Sequence, residues 1–134
     1  MRIIAGKWKS RRLSLPPEKV TRPMPDRVKE AVFSMLGTRY ETPGTLPPLR
    51  VADVFAGSGT MGLEALSRGA ASCTFFERHP AVLRVLRANI EALGAGMSSV
   101  VSRRDAWSAA LVDRQGRPFD LVFLDPPYRG TEDT

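Results

Sequence analysis

Apolar residues recur along this chain in two rhythms, and the switch between them marks the elements. From residue 49 onward, short continuous runs rich in Val, Leu, Phe and Ala (49–55, 72–76, 99–102 and 119–124) alternate with stretches in which apolar positions fall three and four apart. Continuous runs of that length read as buried strands, and the three-and-four spacing reads as helix. The helices predicted this way cover 60–68, stopped by Gly69; 80–93, opened by Pro80 and ended by Gly94; and 106–112. In the second of them Val82, Val85, Leu86, Ile90 and Leu93 form one stripe. Strands separated by helices imply right-handed βαβ units and a mostly parallel sheet, an α/β fold. Upstream, Asp26 is placed to cap a helix whose apolar face is Val28, Ala31, Val32, Met35 and Leu36, with Gly37 closing it. Residues 1–15 read as two short β pieces, Ile3-Ile4 and Leu13-Ser14-Leu15, flanking a turn at Ala5-Gly6-Lys7. Four prolines between 16 and 25 make an extended connector. The division that follows is a basic N-terminal extension, 1–25, and a domain over 26–134.

Composition narrows the class. A chain of 134 residues with 43% apolar side chains supports one packed core, and no run approaches the ~18 to 20 apolar residues of a membrane span. The first twelve residues carry five cations and no apolar core of a secretory signal, so the expected location is cytoplasmic. Cys73 has only His79 beside it as a soft ligand, so no metal site is expected; Cys73 reads as a core residue and His79 as a helix cap. The net charge of +6 is unevenly placed. Residues 1–30 hold nine Lys or Arg against three acids, and the remainder holds eleven of each. Such a basic segment, with Arg2, Lys7, Lys9, Arg11 and Arg12, suits a polyanion such as nucleic acid, the alternative being a solvated arm.

In parallel sheets ligands bind beyond the carboxyl ends of the strands, so the residues there carry the chemistry. After the first strand comes Asp53-Val54-Phe55-Ala56-Gly57-Ser58-Gly59-Thr60-Met61-Gly62. Its glycines permit sharp turns and close approach of a ligand, and the following helix offers free N–H groups. With Glu77 after the second strand it also fits a dinucleotide fingerprint. Asp53 argues against that reading, because a carboxylate would repel a pyrophosphate and suits a ligand carrying an ammonium group. Asp105 either accepts from an adenine amine or caps the next helix. Asp125-Pro126-Pro127-Tyr128 brings an acid, a free carbonyl and an aromatic face together, a set that fits a planar ring with an amino group.

In this order and spacing, these residues resemble S-adenosylmethionine-dependent methyltransferases acting on exocyclic amino nitrogens. Arg2-Ile3-Ile4-Ala5-Gly6-Lys7-Trp8-Lys9, Thr21-Arg22-Pro23 through Glu30, and Gly62-Leu63-Glu64-Ala65-Leu66-Ser67-Arg68-Gly69 narrow the resemblance to the bacterial 16S rRNA (guanine(966)-N(2))-methyltransferase family. It implies a Rossmann-like class I methyltransferase sheet, with S-adenosylmethionine cradled by Ala56, Gly57, Ser58 and Gly59 and its ribose on Glu77. The adenine would lie near Asp105 and Ala106, and Thr21, Arg22 and Pro23 would border the methionine end. The target guanine would sit on Asp125, Pro126, Pro127 and Tyr128. The implied partner is 16S rRNA or an assembling small subunit, without membrane or metal. Because family members continue beyond the proline motif, the resemblance also implies that the sheet's later C-terminal strands are missing here, which leaves the activity of this chain open. A DNA adenine-N6 methyltransferase would share the proline motif, and an inactive RNA-binding fragment would keep the arm. A dehydrogenase accounts for neither Asp53 nor Tyr128.

Overall fold

Short Val- and Phe-rich segments that cannot satisfy their backbone alone pair into one sheet: β1 (Arg50–Val54), β2 (Ser72–Phe76), β3 (Ser99–Ser102) and β4 (Leu121–Leu124), all parallel, in the order β3-β2-β1-β4. This computed structural model describes residues 1–17, 24–105 and 112–126. The expected bounds of β2 and β3 hold, and β1 is shorter than expected by one residue at each end. The last strand begins at Leu121 rather than 119. Its expected first residues leave the ladder because the Asp120 carboxylate accepts from Arg50 N (2.8 Å) while Asp120 N donates to Arg50 O (2.8 Å).

Helices α1 (Asp26–Arg39), α2 (Thr60–Arg68) and α3 (Pro80–Ala92) cover one face. Register sets that face: Val51 pairs with Cys73, and Asp53 with Phe75 and Phe123, so these side chains point the same way. They meet Leu63, Leu66, Leu86 and Phe33 in the main core. The other face carries Ala52, Val54 and Phe76 under Phe55 and Phe119, and exposes Val122 and Leu124 at the β4 edge. The expected bounds of α2 hold; α3 keeps its Pro80 start and ends one residue earlier than expected, with His79 Nδ1 accepting from Ala81 N at 3.2 Å as its cap. Cys73 is buried in the core, as expected. The helix expected over 106–112 lies outside the described residues except for Val112, which bridges to Pro118.

Two expectations fail for α1. Asp26 is its first helical residue and not its cap, since Pro25 stands at the cap position without a side-chain bond; and Gly37 lies inside the helix, which runs to Arg39. The buried face is also rotated. Lys29, Phe33 and Gly37 point inward, while Val28 and Met35 are 41% and 68% exposed. The cause lies on another element. Glu64 of α2, fully buried, pairs with Lys29 Nζ (3.1 Å) and with Arg68 Nε (2.9 Å). A buried counter-charge lets the helix turn a lysine inward and leave two apolar residues in water. Phe33 then stacks under the Arg68 guanidinium and packs on Phe123, with ring centroids 5.6 Å apart.

The N-terminal segment has no strands, only an Arg2–Arg12 bridge around a tight turn. It lies on α2 and α3, with Ile3 and Leu13 in the main core. Ile4 N and Ala5 N donate to the Glu64 carboxylate at 2.9 and 3.0 Å, and Lys7 N donates to Ser67 O at 2.9 Å. Gly6 has φ +89°, and a Cβ there would stand 2.0 Å from Ser67 O, so only glycine permits this approach.

Candidate active site

The parallel register brings three strand exits level. Val54 pairs with Phe76 and Leu124, so the next residues, Phe55, Glu77 and Asp125, emerge in one row, with Asp53 two residues earlier on β1. The chain must then turn sharply to enter α2. Phe55, Gly57 and Gly59 adopt φ of +60°, +59° and +89°, and Gly59 N closes the turn on Ala56 O at 2.9 Å. The two glycines serve different ends. A Cβ on Gly59 would meet Leu86 Cδ1 at 2.6 Å, whereas one on Gly57 would meet nothing within 4 Å. The outer side of the loop is therefore open for a ligand to approach the backbone.

Asp53 faces the helices, buried between Phe75 and Phe123 in its row, with Gly62 N donating to Oδ2 at 2.9 Å. Burial pushes its pKa up to about 7, the Gly62 N–H opposes the shift, and the charges of Asp125 and Glu77 reinforce it. The ligand-free fold is thus stabilised by a protonated Asp53, fully so below the ordinary value of 3.8, and loses that contribution as pH rises through about 7. A cation beside Asp53 would reverse the shift. Glu77 is half-buried: Oε1 accepts from Gly57 N (2.9 Å) and Oε2 from Arg78 N and His79 N (3.0 Å each). Its first task in the fold is therefore to hold the glycine loop. Among the described residues Asp53, Glu77 and Asp125 make no ion pair, and no three such side chains are close enough to share a metal ion.

Of the other residues singled out in the sequence, Asp105 lies near this rim with Arg78 Nη1 at 3.9 Å. Ser58 and Ala56 are buried within the loop, and Asp125 and Pro126 are exposed. Thr21, Arg22, Pro23, Ala106, Pro127 and Tyr128 lie outside the described residues. The arm's cations divide by environment. Arg11 donates to Ala92 O at 2.7 Å, capping the carboxyl end of α3; Arg2 approaches Asp26 at 3.6 Å; Lys7 lies over Trp8 at 4.6 Å. Lys9 and Arg12 are exposed. A groove of about 660 Å³ lies between the end of α3 and β3, and a smaller hollow at the amino ends of the strands. Neither of these two is lined by Asp53, Gly57, Glu77 or Asp125. Among the described residues no helix is long and apolar enough to cross a membrane.

Two residues behind the loop escaped the sequence reading. Asn89 and Lys29 are buried polar side chains that touch the 58–60 segment. A single Asn or Lys on an otherwise amphipathic helix gives no sign of pointing inward. The one available clue was that position 89 falls within the apolar stripe of α3.

A family described as "Conserved hypothetical protein 95" matches residues 1–133. The chain is 39% identical over 129 residues to "Ribosomal RNA small subunit methyltransferase D" of Escherichia coli (strain K12), covering 96% of this chain and 61% of that protein. It is 38% identical over 129 residues to the protein of the same name from Haemophilus influenzae, covering 96% and 64%. The chain thus spans less than two thirds of the length of these relatives. Among solved structures, "Putative methyltransferase yhhF from Escherichia coli" superposes with TM-score 0.78 at 38% identity, covering 98% of this chain and 66% of that one. The fold is an α/β class I methyltransferase sheet.

Proposed function

This chain belongs to the conserved hypothetical protein 95 family, and from that premise we propose that it binds S-adenosylmethionine on the 56–59 loop and takes part in methylating the exocyclic N2 of a guanine in 16S rRNA. The observation that carries this reading is the group of three acids, Asp53 on β1 and Glu77 and Asp125 at the strand exits, without a paired cation among the described residues, around a glycine turn whose outer side is open. A nucleotide phosphate would be repelled there, and a positively charged amino-acid end would be attracted.

S-adenosylmethionine supplies a methyl carbon on a sulfonium, which departs as a neutral thioether when the methyl passes to nitrogen. The chain's own residues bind and orient. The Gly57 and Gly59 backbone would lie against the cofactor, the charge of Asp53, buried behind the loop, would draw its ammonium end, and Glu77 would offer a remaining acceptor to the ribose hydroxyls. Asp105, with Ala106, borders the adenine, and Thr21, Arg22 and Pro23 border the methionine end. Guanine N2 is a weak nucleophile because its lone pair is delocalised into the ring. Asp125 and the Pro126 carbonyl accept its two hydrogens, favouring a more tetrahedral nitrogen in line with the methyl carbon. Pro127 fixes the turn, and Tyr128 replaces the stacking that a flipped base loses. After transfer the nitrogen is acidic, and Asp125 or water takes the proton.

The test is incorporation of labelled methyl into 16S rRNA and assembling small subunits, compared with duplex DNA, across pH. Label at a guanine N2 is expected, with cofactor affinity improving as pH rises through about 7, where Asp53 ionises. Label confined to DNA adenine would overturn the assignment. The arm is proposed to hold the RNA through Arg2, Lys7, Lys9, Arg11 and Arg12. Because Arg11 also caps α3, charge reversal is best confined to Lys7, Lys9 and Arg12. Each lost phosphate contact should lower the slope of log affinity against log salt by about 0.7 to 0.9. An unchanged slope in a filter-binding titration would leave the arm merely solvated.

A further inference from the structure

The inner side of the glycine loop is held by residues that come from the N-terminal arm or touch it. Asn89, buried on α3, uses its whole amide: Oδ1 accepts from Ser14 N (2.8 Å), and Nδ2 donates to Ser14 O (3.0 Å) and to Ser58 O (2.9 Å). With Ser14 it imitates a strand pair, and with its third bond it fixes the carbonyl of the residue between Gly57 and Gly59. Lys29, equally buried, repeats the pattern from α1, its Nζ donating to Arg2 O (2.7 Å) and to Thr60 Oγ1 (2.9 Å). A third tie is direct, from Ser58 Oγ to Met1 Sδ at 3.6 Å. Three separate contacts thus join residues 1, 2 and 14 to residues 58 and 60, and two of them run through a single buried polar side chain.

We propose that Asn89 and Lys29 are positioning residues that set the conformation of the 57–60 loop by clamping it to the N-terminal arm, so that order in the arm and order in the cofactor loop are one equilibrium. The role in cofactor binding rests on reading that loop as the S-adenosylmethionine cradle; the mechanical coupling does not. Physical necessity links the two ends. Asn89 has two hydrogens on Nδ2, and both are committed; if Ser14 departs, one hydrogen and Oδ1 lose their partners, and the amide is no longer held in the one orientation that meets Ser58 O. An amide free to turn holds Ser58 O less firmly. A loop with φ of +59° and +89° at Gly57 and Gly59 has little intrinsic preference for its shape, and such a loop keeps one geometry only when its surroundings hold it. By linkage, a polyanion that orders the arm would then tighten cofactor binding, and cofactor would tighten the arm.

The test is native-state hydrogen exchange followed by mass spectrometry, read over residues 1–17 and 56–63, with β1 and β2 as internal reference. Asn89→Asp keeps the shape and the acceptor for Ser14 N but removes the donor to both Ser14 O and Ser58 O. Exchange is expected to rise about tenfold in both segments, with the strands unchanged and S-adenosylmethionine affinity five- to tenfold weaker by calorimetry. Should that variant fail to fold, Ser14→Pro removes the N–H that Asn89 Oδ1 accepts and fixes the local φ, at an exposed position outside any helix or strand. It should likewise raise exchange in both segments. Faster exchange in the arm with an unchanged 56–63 segment would overturn the proposal. A uniform rise across the strands as well would also overturn it, reducing Asn89 to a general stabiliser. If the wild-type protein itself bound no S-adenosylmethionine, the cofactor reading would fall, while the exchange pattern would still decide whether the clamp exists.

Discussion

Glu64→Ala is expected to cost about 3 to 5 kcal/mol of stability, a large part of the roughly 5 to 15 kcal/mol that holds a domain folded. Glu64 is 0% exposed, and its two oxygens serve four donors: Ile4 N, Ala5 N, Arg68 Nε and Lys29 Nζ. Truncation leaves a buried ammonium and a nearly buried guanidinium without their counter-charge, and two half-buried N–H groups without an acceptor. The arm would lose its seat on α2 together with the ion pairs. Lys29→Met should cost less, because Glu64 keeps Arg68 and both backbone donors, and the loss is then confined to one ion pair and the donor to Arg2 O and Thr60 Oγ1. Urea unfolding of the two variants checks the order. A Glu64→Ala loss below about 1 kcal/mol, the usual size of an exposed pair, would mean that the cluster is solvated.

Asp125→Ala carries the largest expected effect on turnover, a fall of about 10² to 10³-fold, the scale on which removal of one positioned hydrogen-bonding group slows a reaction. Asp125 is exposed at the exit of β4, beside the row that leads to Asp53. Its proposed partner is the target amine rather than the cofactor, so kcat and kcat/KM should fall together while S-adenosylmethionine affinity stays within a few-fold of wild type. A small gain in cofactor affinity near pH 7 is consistent with the same assignment, because the Asp125 charge helps keep Asp53 protonated. Normal turnover in the alanine variant would remove Asp125 from the chemistry.

What was legible in the sequence was whatever depends on neighbours along the chain. The bounds of α2, β2 and β3, the Pro80 start of α3 and the His79 cap follow from runs, prolines and glycines a few residues apart. The strand-exit positions of Glu77 and Asp125 were legible for the same reason, since each directly follows an apolar run, whereas Asp53 lies within the run of β1. The levelling of Glu77 with Asp125, two residues beyond Asp53, needed only the parallel register that βαβ connections impose. The failures share the opposite character. No local pattern announces that Lys29 points inward, because its reason is a carboxylate thirty-five residues later on another helix. Val28 and Met35, apolar and correctly spaced, were displaced from the core by that one pairing. Charge counted along the sequence left the body neutral, yet Glu64, Asp53 and most of Glu77's carboxylate are turned inward onto backbone and buried cations. Arg11 looked like an RNA contact and is also a helix cap. Local spacing thus determined the elements, their order and the chemistry at their ends. Tertiary structure alone decided which polar side chains are buried, because desolvating a charge or an amide is affordable only where distant residues supply the partners.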